Sequence, residues 1–216
     1  MAIEPLRAGT AVWIARHGNR ADFADPTWPA TAARPHDHEL SPDGVAHARE
    51  LGRRLAGTGI RHIFASPFLR TVETASYVAD ALDLSIKVEH GVCEWLNPAW
   101  FPGASCWLST ADLAARFPRV DISYRSRVEP TFPELDEGRD CWPRAASTAR
   151  LLAAEFAVDH LVVSHASPMM GIVYGLVNDS PQLNCGLCSV AKVVWNGKAW
   201  ELALNGEAWP QPGYVP

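Results

Sequence analysis

The chain has 216 residues, of which 48% are hydrophobic and 20% are charged, a composition typical of a globular protein with a sizeable core. Its formal charge of −5 and its pI of about 5.9 argue against a general binder of nucleic acid or of anionic membranes. A binding site for an anion must therefore be a local cluster of cations.

No apolar run has the length of a signal peptide at the N-terminus or of a membrane span elsewhere. The five cysteines are odd in number and do not form a disulfide framework. Both observations predict a cytoplasmic location. Cys185 and Cys188 match a Cys-x-x-Cys pattern, but they lie late in the chain and lack two further ligands at zinc spacing. Two ordinary thiols are the favoured interpretation.

The first half of the chain alternates strands with helices. Strands are predicted at 10–15, 61–65 and 86–89, and helices at 42–56 and 68–82. Ser41 and Pro42 supply the N-cap and the first position of the first helix, and Gly57 ends it. The polar segment 20–39 contains three prolines and is predicted to be a long loop.

Residues 95–140 break the alternation, and an irregular, aromatic-rich insertion over one end of the sheet is predicted there, with one short helix at 110–117. After it, the pattern predicts helices at 142–156 and 168–176, a strand at 160–164, and a hairpin with strands at 190–195 and 199–204. The Pro-rich tail after Gly206 is expected to be loose. We therefore predict one domain spanning 1–216, with a three-layer α/β/α fold and a mostly parallel central sheet.

Side chains suited to phosphate chemistry follow four of the predicted strands. They are Arg16, His17, Arg70, Glu94 and His165, with Arg20 close to the first two. In open α/β sheets ligands bind outside the carboxyl ends of the strands, so these groups are expected to share one cleft. Phosphoryl transfer needs a nucleophile, cations around the phosphate oxygens and a proton donor for the leaving oxygen. The residues alone leave either histidine as the nucleophile, with Glu94 as the acid and the arginines as phosphate ligands.

Several motifs resemble the histidine phosphatase superfamily, in its phosphoglycerate-mutase-like branch, over roughly residues 10–180. They are Arg16-His17-Gly18, Ser66-Pro67 followed by Arg70-Thr71 and Thr74-Ala75, Glu94, and Val163-Ser164-His165. Three others resemble the subgroup of the suppressor-of-T-cell-receptor-signalling proteins and ecdysteroid-phosphate phosphatase. These are Arg16-His17-Gly18-x-Arg20, Val88-Glu89-x-Gly91-Val92-x-Glu94-Trp95 and Leu108-Ser109-x-x-Asp112-Leu113.

The resemblance implies a phosphoric monoester hydrolase that needs no metal and no other cofactor. His17 would be the nucleophile and form a phosphohistidine, and Glu94 would protonate the leaving group and then activate water. The phosphate would be held by Arg16, Arg20, Arg70 and His165. The substrate would be a small-molecule or phosphopeptide phosphate ester, and the resemblance is compatible with a homodimer. Two positions depart from the pattern: Asn19 stands where an acid is usual, and Ala166 where glycine is usual.

A phosphomutase of the same fold and a catalytically inactive phosphate-binding module are the alternatives. Mutases of this branch continue Arg-His-Gly with Glu-Ser, whereas this chain continues with Asn19 and Arg20, which favours water as the acceptor. The presence of nucleophile, arginines and acid argues against an inactive module. A dinucleotide binder is excluded because no Gly-x-Gly-x-x-Gly follows the first strand.

The remaining signals concern the aromatic residues and a His-Asp-His motif. Trp95, Trp100 and Trp107 could line a substrate pocket, or they could form the core of the insertion. The motif at 36–38 is interpreted as part of a polar loop, and no metal is assigned to it.

Overall fold

A computed structural model describes residues 6–103, 106–136, 140–179 and 182–207. The strands are Ala11–Arg16 (β1), His62–Ala65 (β2), Ile86–Val88 (β3), His160–Ser164 (β4), Val190–Trp195 (β5) and Trp200–Glu207 (β6). The helices are Ala21–Ala24 (α1), Pro42–Leu55 (α2), Leu69–Leu82 (α3), Thr110–Arg116 (α4), Cys141–Glu155 (α5) and Ala166–Val177 (α6). Within these ranges no helix is both long and apolar enough to cross a membrane.

The six strands form one sheet in the order β3-β2-β4-β1-β5-β6. The first four strands in this order are mutually parallel, while β5 runs antiparallel to β1 and β6 antiparallel to β5. The predicted mostly parallel sheet is therefore confirmed. The carboxyl ends of β1, β2 and β4 lie side by side at one edge of the sheet. The candidate residues His17, Arg70 and His165 come after these three strands in the sequence.

Alternate side chains of the central strands pack into two separate cores. Ala15 of β1 belongs to a cluster with Leu51 of α2 and Val72 of α3. Its neighbour Ile14 belongs to a second cluster, with Leu152 and other residues of α5 and α6. Because successive side chains of a strand point to opposite faces, the helices cover both faces of the sheet and the three-layer prediction is confirmed.

The structure differs from the sequence prediction in several places, among them the last strand, β6, which runs to Glu207 and not to residue 204. The segment 20–39 contains α1 and a 3₁₀ turn at Trp28–Ala30 rather than loop alone. A second 3₁₀ turn, His90–Val92, separates β3 from Glu94. Helix α6 begins at Ala166, two residues before the predicted start, because Pro168 falls in the first turn, where a missing N–H breaks no helical hydrogen bond. Residues 208–216, most of the tail predicted to be loose, lie outside the described residues.

The buried carboxylate of Glu89 fastens the later part of the insertion to the end of β3. Its Oε1 accepts from the Gly91 and Val128 amides and the Ser126 hydroxyl, at 2.7–3.2 Å. Its Oε2 accepts from the Tyr124 hydroxyl at 2.7 Å and from the amide of residue 127 at 2.9 Å. The side chain is 0% exposed, so these hydrogen bonds replace its lost hydration. This segment is thus held by a polar anchor rather than by regular structure.

Glu89→Gln is expected to lower the free energy of unfolding by about 2–4 kcal/mol. Both carboxylate oxygens of Glu89 accept hydrogen bonds, and in glutamine an NH₂ group, itself a donor, would take the place of one of them. The measurement is urea denaturation. Glu129→Gln is the matched control, since Glu129 is 67% exposed and forms a surface pair with His90; it should change stability by less than about 1 kcal/mol. Equal effects of the two substitutions would contradict the anchoring role.

Candidate active site

The turn after β1 places His17 between two neighbouring segments of the sheet. Its amide donates to the Ser164 carbonyl at 3.1 Å, and its carbonyl accepts from the Cys188 amide at 3.2 Å. A Cβ at Gly18 would lie 2.7 Å from the Gly44 carbonyl oxygen, so only glycine allows this approach to α2. The Gly18 amide also donates to the Thr74 hydroxyl at 3.1 Å. Backbone hydrogen bonds and close packing against α2 and α3 therefore fix the conformation of this turn.

The His17 ring is 1% exposed and its Nδ1 lies 2.7 Å from the Gly18 carbonyl oxygen. Because a carbonyl only accepts, Nδ1 must carry the hydrogen, and the neutral ring keeps its lone pair on Nε2. Burial lowers the pKa of His17 well below its ordinary value, and the charge of Arg70, of His165 when it is protonated, and of Arg16 lowers it further. At neutral pH the ring is an uncharged imidazole with a free nucleophilic nitrogen.

Arg70 is a buried cation with incomplete pairing. It is 1% exposed, and its Nη2 lies 3.1 Å from His165 Nδ1 and 3.4 Å from Glu94 Oε2. Its Nε and Nη1 have no hydrogen-bond partner in the part of the chain that the structure describes. Burial lowers the pKa of Arg70 to about 10, with Glu94 opposing the effect, so the group stays charged. A charged donor held this way is a receptor for an anion.

Asp37 explains how a cation is tolerated at the N-terminus of α3, where the helix dipole is unfavourable for it. Its Oδ1 accepts from the Leu69 amide at 2.8 Å, and the His38 carbonyl accepts from the Arg70 amide at 3.1 Å. Asp37 is 1% exposed, so it caps this helix from the 20–39 segment. This role of Asp37 is not predictable from the sequence, because the contact spans 32 positions and no local pattern marks it.

His165 and Glu94 complete the polar floor of the cleft. His165 is fully buried at the N-cap of α6, with Nε2 2.7 Å from the Ser66 hydroxyl and Nδ1 3.3 Å from Glu94 Oε2. Burial lowers the pKa of His165 to about 4, although Glu94 opposes this. Burial alone would raise the pKa of Glu94, but His165 and Arg70 outweigh it and hold that pKa below its ordinary range. In the free protein Glu94 is therefore a carboxylate beside a neutral histidine.

The two other arginines reach the cleft in different ways. Arg16 lines it and donates from Nη1 to the Cys185 carbonyl at 2.7 Å. Arg20 also lines it, but its Nε and Nη2 donate to the Asp22 carboxylate at 2.9 and 2.5 Å. Its guanidinium lies over the Phe23 ring, 4.0 Å from the centroid. Only the remaining donors of Arg20 are available to a phosphate, and its predicted role stays a prediction.

The cleft has a volume of about 540 Å³ and combines this polar floor with an apolar wall. Trp95 and Trp100 line it, with ring centroids 5.0 Å apart. Trp107 does not belong to the described lining; its ring packs against Phe68 and His90, at centroid distances of 5.4 and 5.6 Å. The structure thus brings two of the three predicted pocket tryptophans to the cleft and places the third in the interior of the insertion.

A metal ion is the alternative occupant of this floor. One ligand atom each from His17, Glu94 and His165 lie within 4.8 Å of one another, a spacing that a metal could use. However, Arg70 contacts two of these three residues, and a divalent cation would lie beside its buried charge. The electrostatics of the floor therefore favour an anion.

The two departures from the family pattern leave the site intact. Asn19 Nδ2 donates to Asp43 at 2.8 Å and its Oδ1 accepts from the Arg20 amide at 3.0 Å, so it supports the turn. His165 has extended backbone angles of φ −125° and ψ 171°, and Ala166 is the first residue of α6. The turn between them therefore does not require glycine.

Fold and site together define an α/β protein with two histidines, a carboxylate and a buried arginine at the carboxyl edge of its sheet. The model of the histidine phosphatase superfamily (branch 1) matches residues 12–207. Ecdysteroid-phosphate phosphatase of Drosophila melanogaster is 30% identical over 237 residues, covering 88% of this chain and 31% of that protein. Ubiquitin-associated and SH3 domain-containing protein B of Mus musculus is 30% identical over 158 residues, covering 68% of this chain and 24% of that protein.

The chain thus spans a third or less of the length of these two relatives. A crystal structure of the ecdysone phosphate phosphatase from Bombyx mori, in complex with tungstate, superposes with a TM-score of 0.75 at 22% identity. The match covers 96% of this chain and 98% of that one. The chain belongs to the histidine phosphatase superfamily, and both the resemblance and the fold predicted from the sequence are confirmed.

Inorganic phosphate is expected to raise the pKa of both His17 and His165, because a bound anion stabilises the imidazolium forms. Without phosphate, both rings should titrate well below the ordinary histidine value of about 6.5. The measurement is ¹⁵N NMR titration of the histidine side chains with and without phosphate, assigned with His17→Ala and His165→Gln. Rings that titrate at the ordinary value, or that do not respond to saturating phosphate, would contradict an anion site.

Proposed function

We propose that this chain hydrolyses phosphate monoesters through a phosphohistidine on His17, without a metal ion. The observation that carries the proposal is the buried Arg70, which has two nitrogen donors without a partner among the described residues and influences the pKa of both His17 and His165, two neutral rings. A phosphoryl group is the anion whose several oxygens suit such donors and whose phosphorus a neutral imidazole can attack. The tungstate bound by the Bombyx mori relative, an oxyanion, is consistent with this choice.

In the first step, Nε2 of His17 attacks phosphorus and the bond from phosphorus to the ester oxygen breaks. Glu94, in its protonated form, gives its proton to that oxygen, so the alcohol leaves neutral. The phosphorylated ring carries a positive charge, which the Gly18 carbonyl stabilises through Nδ1–H. In the second step water attacks phosphorus, Glu94 takes the proton, and the nitrogen–phosphorus bond breaks to return neutral His17.

The required proton on Glu94 follows from the charge of the substrate. In the free protein the neighbours His165 and Arg70 hold the pKa of Glu94 low against the effect of burial. A phosphate dianion would pair with Arg70 and add negative charge next to Glu94, and both effects raise its pKa. The acid form is therefore generated when the ester binds, and the carboxylate returns when phosphate leaves.

The walls of the cleft favour an ester with a bulky, flat or apolar alcohol. Phe23 and Trp100 both line the cleft and are 54% and 51% exposed, so their rings are accessible to a leaving group. Trp95 is held in place by its indole N–H, which donates to the Glu134 carbonyl at 2.9 Å. The name of the Drosophila melanogaster relative, an ecdysteroid-phosphate phosphatase, supports a bulky alcohol as well. Phosphotyrosine peptides fit the same description.

His17→Ala is expected to lower kcat/KM for 4-nitrophenyl phosphate by at least about 10³-fold, since the nucleophile is lost. Wild-type activity should survive EDTA unchanged. His62→Ala is the matched control, because His62 opens β2 at the opposite edge of the sheet, and it should keep wild-type activity.

Loss of wild-type activity in EDTA, restored by a divalent metal, would replace this proposal with a metal-dependent hydrolase on the same three residues. Binding of vanadate without turnover would favour the mutase or the inactive module. Failure to bind phosphate or vanadate at all would contradict the phosphatase proposal.

A further inference from the structure

A buried ion pair lies behind the cleft, away from the reacting atoms. The Glu134 carboxylate accepts from Arg144 Nε at 2.8 Å and from Nη2 at 3.0 Å. The two side chains are 6% and 8% exposed. Burying such a pair stabilises a fold little or not at all compared with apolar residues of the same volume. Its presence therefore calls for a role other than stability.

The Glu134–Arg144 pair forms hydrogen bonds with the main chain on both sides of Glu94. Arg144 donates from Nη1 to the carbonyls of Gly91 and Cys93, at 2.9 and 3.1 Å. Its Nη2 lies 3.2 Å from the carbonyl oxygen of Glu94 itself. On the other side, Glu134 Oε2 accepts from the Leu96 amide at 2.8 Å.

Regular structure does not hold this stretch of chain. The 3₁₀ turn ends at Val92, and no strand or helix follows until α4 in the described part of the insertion. A catalytic acid must be held to within about 0.5 Å of its productive position. Hydrogen bonds from Arg144 to three carbonyls of this stretch, and from the Leu96 amide to Glu134, supply that restraint where a sheet ladder is absent.

We infer that Glu134 and Arg144 are positioning residues for the acid Glu94, an inference that rests on the proposed function. Among the described contacts between Arg144 and Glu94, Arg144 reaches the main-chain carbonyl of Glu94 and not its carboxylate. Arg144 therefore acts on the acid through the backbone. Glu134 holds Arg144 and also anchors Trp95 and Leu96. The pair thereby joins the acid to α5 and to the far side of the insertion.

The test compares two esters that differ in their need for an acid. The alcohol of an alkyl phosphate leaves only if it is protonated, whereas 4-nitrophenolate leaves unaided. Arg144→Met and Glu134→Gln are expected to lower kcat/KM for the alkyl ester by about 10²-fold, the cost of a displacement of about 1 Å. The loss for the nitrophenyl ester should be at least about ten times smaller. Glu94→Gln should show the same selectivity in a stronger form.

Glu155→Gln is the matched control. Glu155 lies in α5, as Arg144 does, and its carboxylate accepts two hydrogen bonds from Arg127 at the protein surface. The substitution should change neither rate. Circular dichroism identifies folded variants, and Glu134→Gln serves if Arg144→Met does not fold.

Equal losses for both esters, or no loss, in folded variants would overturn the positioning role. A wild type that hydrolyses neither ester, or a His17→Ala variant as active as wild type, would contradict the proposed function itself, and this inference with it.

Discussion

The charge of Arg70 is buried under the cleft with two of its nitrogen atoms unpaired among the described residues, and the chemistry of the site depends on it. A buried cation with unpaired donors costs free energy, which an incoming anion can recover. Burial is the largest cause that lowers the pKa of His17 and of His165, and the charge of Arg70 lowers both pKa values further. The same charge also lowers the pKa of Glu94. In the proposed mechanism, this one residue thus favours an anion, helps to keep the nucleophile His17 neutral and helps to keep the acid Glu94 ionised in the free protein.

Three buried carboxylates support this arrangement from outside the reacting groups. Asp37 caps the helix that carries Arg70, Glu89 anchors the later part of the insertion, and Glu134 joins the segment of Glu94 to Arg144. The sheet brings His17 and His165 together directly, because β1 and β4 are adjacent and parallel. The acid and the cation come from segments that the sheet does not fix, so hydrogen bonds to buried acids place them.

Sequence periodicity predicted the sheet, the main helices and the residues that follow the strands, because those features are local. Arg16, His17, Arg70, Glu94 and His165 were found this way, and the structure gathers them in or beside one cleft. Asp37 and the Glu134–Arg144 pair were missed, since the main-chain groups that they contact lie 32 to 53 positions away in the sequence. The sequence could not show that Trp95 lines the cleft whereas Trp107 packs against Phe68 and His90. Residues of an irregular insertion have no period that assigns them to a face.

The most direct test is to trap the phosphoenzyme and locate the phosphoryl group. Wild-type protein would be mixed with excess 4-nitrophenyl phosphate and quenched in base, with the modified residue found by mass spectrometry and the nitrogen by ³¹P NMR. The hydrogen bond from Nδ1 to the Gly18 carbonyl leaves Nε2 as the attacking atom, so phosphate should be found on Nε2 of His17. Phosphate on His165, on Nδ1 of His17, or on no residue in a single turnover would contradict the account.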